Sequence, residues 1–364
     1  TSITLLQAGT LATPYFSQTQ AAGRHGALLG YLWNLNTAGN ALTATVGKVH
    51  VNPQAKVLAE GYLTGTALLN QSADLIAGQG MREACDAAKP GFGTFAALSG
   101  GWSRYNSGSH VDISGFSLLT GLSFGTAFSP GRLTLGAFFE YGNGSYDTYN
   151  SFGNAADVNG DGNIHHIGGG VLGRMDFVNT GPVNLETSLR AGHIHNEYGS
   201  SDLRDFFTGR SANYDAGSAY YGLHFGTGYL WNINKQASLD TYAKYFWTRQ
   251  DGDTVTLSTG DRVAFRAVDS HRLRMGSRFS YAVNECVSPY IGAAWEYGFD
   301  GRVKATTYGY DISKPDLRGG TGIGEFGLTL TPSRGLPLSF DLGGQGYAGT
   351  RRGLTGSLRI KLEF

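Results

Sequence analysis

Cysteine, charge and long apolar runs are all in short supply in this chain. Two cysteines, Cys85 and Cys286, stand among 364 residues. They are too few for a Cys-based metal site, and no helical H-E-x-x-H supplies one either. Charged residues make up 15% of the chain, and 28 basic residues balance 28 acidic ones. With no excess of positive charge, a nucleic-acid partner is not expected. No apolar run approaches the roughly 18–20 residues of a spanning helix, which argues against an inner-membrane helical protein. Neither a G-x-S-x-G elbow nor a P-loop is present, and no cofactor is expected.

What is abundant points elsewhere. Glycine at 56, tyrosine at 20 and phenylalanine at 20 are high. Glycine serves tight turns and close strand packing, and tyrosine suits membrane–water interfaces. The closing residues are the most telling. Leu354, Gly356, Leu358, Ile360, Leu362 and Phe364 share one parity, while Thr355, Ser357, Arg359, Lys361 and Glu363 share the other. A strand alternates faces with period two, so one face is apolar and the other carries three charges. Such a strand needs lipid on one side and water on the other, as in the wall of a transmembrane β-barrel. A terminal Phe with apolar residues at every second position before it also resembles the assembly signal of Gram-negative outer-membrane proteins.

The same alternation recurs in Leu133–Tyr141, Val183–Ala191, Ser238–Trp247, Arg272–Tyr281 and Ile291–Tyr297. One such strand fits the edge of a soluble β-sandwich; this many, with charges on the second face, fit a watery lumen. The pattern predicts strands over 93–105, 110–127, 132–147, 163–178, 182–199, 216–233, 236–250, 264–283, 287–303, 319–331, 336–349 and 353–364. The fold class expected is all-β: a 12-stranded antiparallel transmembrane β-barrel with an N-terminal α-helix in the pore. Short turns near residues 129–130, 180–181, 234–235, 284–285 and 333–334 alternate with long stretches at 148–162, 200–215, 251–263 and 304–318. Barrels of this class have short periplasmic turns and longer extracellular loops, which places both barrel termini on the periplasmic side.

Residues 54–77 break the alternation, within a pore-spanning helix expected over 52–80. Asn52-Pro53 reads as a helix start and Gly78 and Gly80 as stops. About 24 residues at about 1.5 Å each match the height of a membrane barrel. The helix is rich in small residues and carries only Lys56, Glu60 and Asp74 as charges, so it is slim enough for a lumen. Read without the barrel, it would be a surface helix on a soluble domain. The remaining boundaries are a periplasmic connection at 81–92 and the barrel at 93–364.

The order of helix, twelve strands and terminal Phe, with K-V-L-A-E-G-Y-L-T-G-T-A-L-L-N-Q-S-A-D-L-I at 56–76, resembles the C-terminal translocator domain of classical autotransporters (type Va secretion, AIDA/pertactin-like). The resemblance covers about residues 54–364. It implies an outer-membrane location in a Gram-negative bacterium. It implies secretion and surface display of an N-terminal passenger, with the helix plugging the pore afterwards. It implies outer-membrane lipid, the β-barrel assembly machinery, periplasmic chaperones and the chain's own passenger as partners. An outer-membrane protein needs a signal peptide and none stands at Thr1, so the chain is expected to be the C-terminal piece of a longer precursor. Residues 1–51, with short β-like runs separated by Gly and Asn, are expected to be the last rungs of a passenger β-helix, or a linker or small β-domain.

The lumen charges expected are Glu140, Arg174, Glu186, Arg190, Asp240, Lys244, Arg272, Arg274, Arg278, Glu296, Glu325 and Arg359. Some autotransporters free the passenger by cyclising an Asn in an Asn-Asn pair of the pore helix. Here the single helix Asn, Asn70, is followed by Gln71, so the sequence departs from that pattern and no catalysis is expected. Asp157, Asn159 and Asp161, with Gly162 next, resemble the first half of an EF-hand calcium loop, but Gly168 stands where the closing Glu belongs. Tandem Asx-Gly turns explain the same letters. Cys85 and Cys286 both fall on the oxidising periplasmic side, where a disulfide between them is the expectation set against two free thiols. His165, His166, His193 and His195 are expected near the extracellular rim, without a metal pattern. The rival readings are a 12-stranded porin and an outer-membrane hydrolase with a rim active site.

Overall fold

The computed structural model describes residues 2–9, 20–88, 91–129, 131–153, 155–177, 182–330 and 338–362. Twelve strands close into an antiparallel barrel. In chain order they are β5 (Phe92–Asn106), β6 (His110–Phe128), β7 (Gly131–Phe152), β8 (Ala155–Phe177), β9 (Val183–Arg204), β10 (Ser211–Asn232), β11 (Ala237–Gln250), β14 (Val268–Tyr281), β15 (Val287–Gly298), β18 (Gly319–Leu330), β19 (Leu338–Gly349) and β20 (Arg351–Leu362). Each pairs with the next, and β20 closes on β5 through Arg359↔Ala97 to Arg351↔Tyr105. The expected number and sequence of strands agree with this order.

The alternation sorts into two environments. On β7, Glu140 and Phe138 are buried inside, while Leu135 and Phe139 stand on the outer surface. Ile291, Leu189 and Leu354 are each more than half exposed on that outer surface. An apolar band of this extent would be an aggregation surface in water and is matched by hydrocarbon. Closure leaves no edge strand to face lipid with unpaired N–H and C=O groups.

Two expected loops, 148–162 and 200–215, are largely strand. β7 to β10 run for 22 or 23 residues, about twice the 9–11 that a membrane requires. Above the lipid band their pattern inverts. The outer parity becomes polar, with Asp147, Asn163, Glu197 and Asp215 exposed, while Tyr146, Ile164, Tyr198 and Tyr214 are buried inside. A wall with water outside and a packed apolar core inside has the polarity of a soluble barrel. The other two expected loops carry β12 (Asp253–Thr256), β13 (Arg262–Phe265), β16 (Ala305–Thr307) and β17 (Tyr310–Asp311), a four-stranded sheet above the barrel.

β1 (Ser2–Gln7), β2 (Gln20–His25), β3 (Leu29–Ala38) and β4 (Ala41–Val51) form a separate sheet ordered β1-β4-β3-β2. All of its pairings are antiparallel, so the expected β-helix rungs, which would pair parallel, are not what these residues build. Gly26 and Gly39, at φ +61 and +60, reverse the chain as hairpin turns; they are not rung corners. The Gly26–Leu28 tip enters the barrel mouth. Leu28 is fully buried. Ala27 N–H donates to Asp261 Oδ2 at 2.8 Å, and Tyr308 OH donates to Asp261 Oδ1 at 2.8 Å. Partial burial and the Asp261 carboxylate push the Tyr308 hydroxyl up to about 12, so it remains a donor.

The helical segment starts as expected and ends later. Asn52 Oδ1 accepts from Gln54 N–H, and Pro53 opens a single 3₁₀ turn. α1 (Lys56–Leu75) follows, then a π-turn at Ile76–Gly80, then α2 (Met81–Ala87). Gly78 and Gly80 do not stop the helix, because neither adopts the left-handed conformation of a C-cap. The π-turn absorbs them, and Met81 and Ala84 bury fully in a cluster with Phe95, Leu119 and Phe138. The expected connection at 81–92 therefore shrinks to a few residues after Ala87.

Asp261→Ala should strip partners from Ala27 N–H and Tyr308 at about 1–3 kcal/mol of local stability. Limited proteolysis within residues 20–28 should quicken, while heat-modified migration of the barrel stays unchanged.

Candidate functional site

The lumen around α1 is the candidate site. The 20 residues of α1 span about 30 Å, the thickness of a bilayer core. Nearly all of its side chains are buried. Gly61 and Gly65 let the backbone approach the wall: a methyl on Gly61 would run into Tyr198 and Tyr214, and one on Gly65 into Gln250.

Charge and hydrogen bonding fix the helix at three heights. At the extracellular end, Glu60 pairs with Lys56 at 3.1 Å and accepts from Ser107 Oγ at 2.7 Å and from Asn150. In the middle, Arg190 Nη1 reaches Glu140 at 3.0 Å while its Nη2 donates to the Leu69 carbonyl at 2.7 Å. Tyr220 OH holds the other Glu140 oxygen at 2.9 Å. Lower down, Asp74 meets three guanidiniums: Arg272 at 3.0 Å, Arg274 at 2.8 Å and Arg351 at 3.2 Å. Glu296 shares Arg272 and Arg274 at 3.0 and 2.7 Å.

Many wall donors reach main-chain oxygens of the helix. Tyr214 OH donates to Leu58 O, Asn196 Nδ2 to Gly61 O, Arg272 Nη2 to Asn70 O and Lys244 Nζ to Ala77 O, at 3.0, 2.7, 3.1 and 2.5 Å. A carbonyl already bonded within a helix keeps a second lone pair, and these donors use it.

All twelve expected lumen charges face inward. Besides those above, Arg278 pairs with Glu325 at 2.6 Å, and Glu186 with Lys244 at 2.6 Å and Arg174 at 3.5 Å. Arg359 meets Glu83 of α2 at 2.7 Å. Asp240 lines a polar cavity of about 260 Å³ that remains between the lower helix and the opposite wall, beside Arg82, Arg174, Lys244 and Arg278. Arg351 was missed because β20 starts two residues before the predicted strand; its parity is that of Arg359 and could have found it. Tyr62 was also missed: it stacks on Phe265 at 4.4 Å, tying the helix to β13.

Other expected positions resolve differently. Asn70 sits inside α1 and donates to Ser270 Oγ at 3.1 Å. Asp157, Asn159 and Asp161 do not form a calcium loop. They are alternate residues of β8, paired with β7 through Asn159↔Tyr149 and Asp161↔Asp147, and spaced about 6.6 Å apart along an extended strand. Cys85 and Cys286 are free thiols, which corrects the expected disulfide. Cys85 lies on α2 beside Thr134 and Arg174 of β7 and β8, whereas Cys286 lies on the β14–β15 turn, several strands away around the wall. Gly356 is exposed and Leu358 half-buried on the outer face of β20. The side chains of Ile360 and Leu362, and Phe364 as a whole, lie outside the described residues.

This geometry defines a class: an outer-membrane β-barrel whose lumen is occupied by its own N-terminal helix. The family model for the autotransporter beta-domain matches residues 91–343, more than half of the chain. The chain therefore belongs to the autotransporters, Gram-negative outer-membrane proteins that display an N-terminal passenger at the cell surface. The fold agrees with three solved structures. The β-domain of the Bordetella autotransporter BrkA is 18% identical with TM-score 0.58, covering 75% of this chain and 100% of that one. The transport unit of AIDA-I from Escherichia coli is 19% identical with TM-score 0.54, covering 74% and 90%. The translocator domain of NalP from Neisseria meningitidis is 11% identical with TM-score 0.56, covering 85% and 98%. No curated protein sequence matches the chain significantly.

Asp74→Ala should leave Arg272 and Arg274 sharing Glu296 and Arg351 without an ion-pair partner among the described residues, all three buried, and cost about 3 kcal/mol or more. The midpoint of heat-modified migration should fall. Asp74→Glu, which keeps the charge, should lose less.

Proposed function

We propose that the lumen has two successive tasks: to carry the passenger in a wet, charge-lined channel, and then to clasp the helix as a stopper. The observation that supports this is the three-level grip on α1: neutral wall donors on Glu60 at the top, Arg190 on the Leu69 carbonyl in the middle, and three wall guanidiniums on Asp74 below. A wall whose charges compensate one another stays hydrated and offers no lasting apolar hold to a passing segment. Once α1 arrives, Glu60 and Asp74 find fixed partners and the helix stops in register.

Residues 1–51 are then the end of the passenger or the linker to it, with the Gly26–Leu28 tip held in the extracellular mouth. The apolar parity of the closing sequence, Gly356, Leu358, Ile360, Leu362 and Phe364, is the signal offered to the β-barrel assembly machinery after periplasmic chaperones deliver the chain. The module performs no catalytic turnover. Asn70 serves docking, through Ser270 and Arg272, and is not a cleavage point; the intact mass of the mature barrel should retain residues upstream of it. A cut at Asn70 would contradict this assignment.

The porin reading is disfavoured by a helix that runs through the lumen and leaves a cavity of only about 260 Å³ beside its lower part. Planar-bilayer recordings decide between the two. Deleting residues 54–77 should raise conductance several-fold over the intact chain while the barrel keeps its heat-modified migration. Equal conductance with and without the helix would sink the stopper.

A further inference from the structure

The rim histidines were set aside as lacking a metal pattern, and the folded wall gives them one. β9 carries His193-Ile-His195-Asn-Glu197 along one outward face, with His193 opposite Ile167 and with His195 and Glu197 higher, in the water-facing part of the wall. β10 places Asp215 directly opposite Glu197, and β8 places His165 directly opposite His195. One ligand atom each of His195, Glu197 and Asp215 lie within 4.8 Å of one another. The His195 Nε2 to Glu197 Oε1 distance is 3.6 Å, and the His165 ring sits 5.1 Å from that of His195.

We propose that His195, Glu197 and Asp215, with His165 as the fourth donor, bind one zinc-class divalent transition ion across strands β8, β9 and β10. Three observations carry this. Like carboxylates directly opposite on neighbouring strands are unfavourable unless a cation stands between them, and among the described residues no lysine or arginine pairs with Glu197 or Asp215. Imidazole with carboxylate is the donor set of zinc and its neighbours, whereas calcium and magnesium take oxygen alone. Tetrahedral ligands about 2.05 Å from a metal stand about 3.3 Å apart, a contraction that rotamer changes on open side chains supply. The donors span three strands, so the ion would staple the tall extracellular wall where hydrogen bonds are most exposed to water. Ile167, half exposed and next below His165 on the same face of β8, marks the upper edge of the apolar band, so the site sits just clear of the lipid.

The test uses the whole chain, folded in detergent micelles, titrated calorimetrically with zinc chloride. One ion per chain is expected in the micromolar range, together with a higher midpoint of heat-modified migration. His195→Ala and Glu197→Gln should each weaken binding about tenfold or more, and His165→Ala less. His110→Ala, on the rim against Tyr149, should leave it unchanged. Glu197→Gln keeps the side-chain shape, so the test survives if His195→Ala fails to fold. Undiminished zinc binding by both the His195 and Glu197 variants would overturn the proposal, as would displacement of zinc by equimolar magnesium, which would mark a diffuse acidic surface.

Discussion

Charge inside a narrow tube must be compensated by something inside the tube; most of this wall compensates itself, but one cluster of three guanidiniums is completed by a separate segment. Arg272, Arg274 and Arg351 converge on a carboxylate that belongs to α1, not to the wall. Removing guanidiniums from water is expensive, and only well-placed opposite charge with full hydrogen bonding offsets it. The barrel is therefore a matched half of a pair. Its strands close because lipid tolerates no open edge, and its interior is settled because the helix is there.

The parts of this architecture legible in the sequence are those where one physical rule acts alone. In β11, β14, β15 and β20, lipid faces one side and water or charge the other, and period two is plain to read. The helix was legible because residues 56–76 break that period. Where two environments follow each other along one strand, reading failed. β7 to β10 change from apolar outside to apolar inside near the top of the membrane, and their Gly-rich and Asn-rich upper halves passed for loops. The Asp157–Asp161 run looked like a calcium loop for the same reason. The helix end was misjudged because Gly78 and Gly80 permit a stop without forcing one, and tertiary packing of Met81 and Ala84 decided the matter. Pairing direction in residues 2–51 was not readable at all, since short β runs with Gly and Asn between them serve hairpins and rungs equally well.

The site was legible to a similar degree. Inward parity alone located every wall charge named from sequence, yet no spacing rule could say that Arg190, Arg272 and Lys244 would reach main-chain oxygens of the helix. Those contacts depend on how near the helix main chain comes to the wall, which strand parity does not encode. The disulfide expectation failed on geometry around the wall: topology separates Cys85 from Cys286 although both lie at the same end.

Contacts to main-chain oxygens have a consequence for how this lumen and its helix can diverge. Every peptide offers a carbonyl, so the grip of Tyr214, Asn196, Arg272 and Lys244 does not read the identity of the side chain it passes. Most positions of α1 are then constrained by size, because a larger group meets the wall, and few by chemistry. Glu60 and Asp74 are the charged exceptions, and Tyr62, Thr66, Asn70 and Ser72 also meet the wall through their side chains. Substitution in a lineage should drift freely among small and medium residues along the helix while holding two acids about four turns apart, a pattern of variation set by the tube and not by the helix.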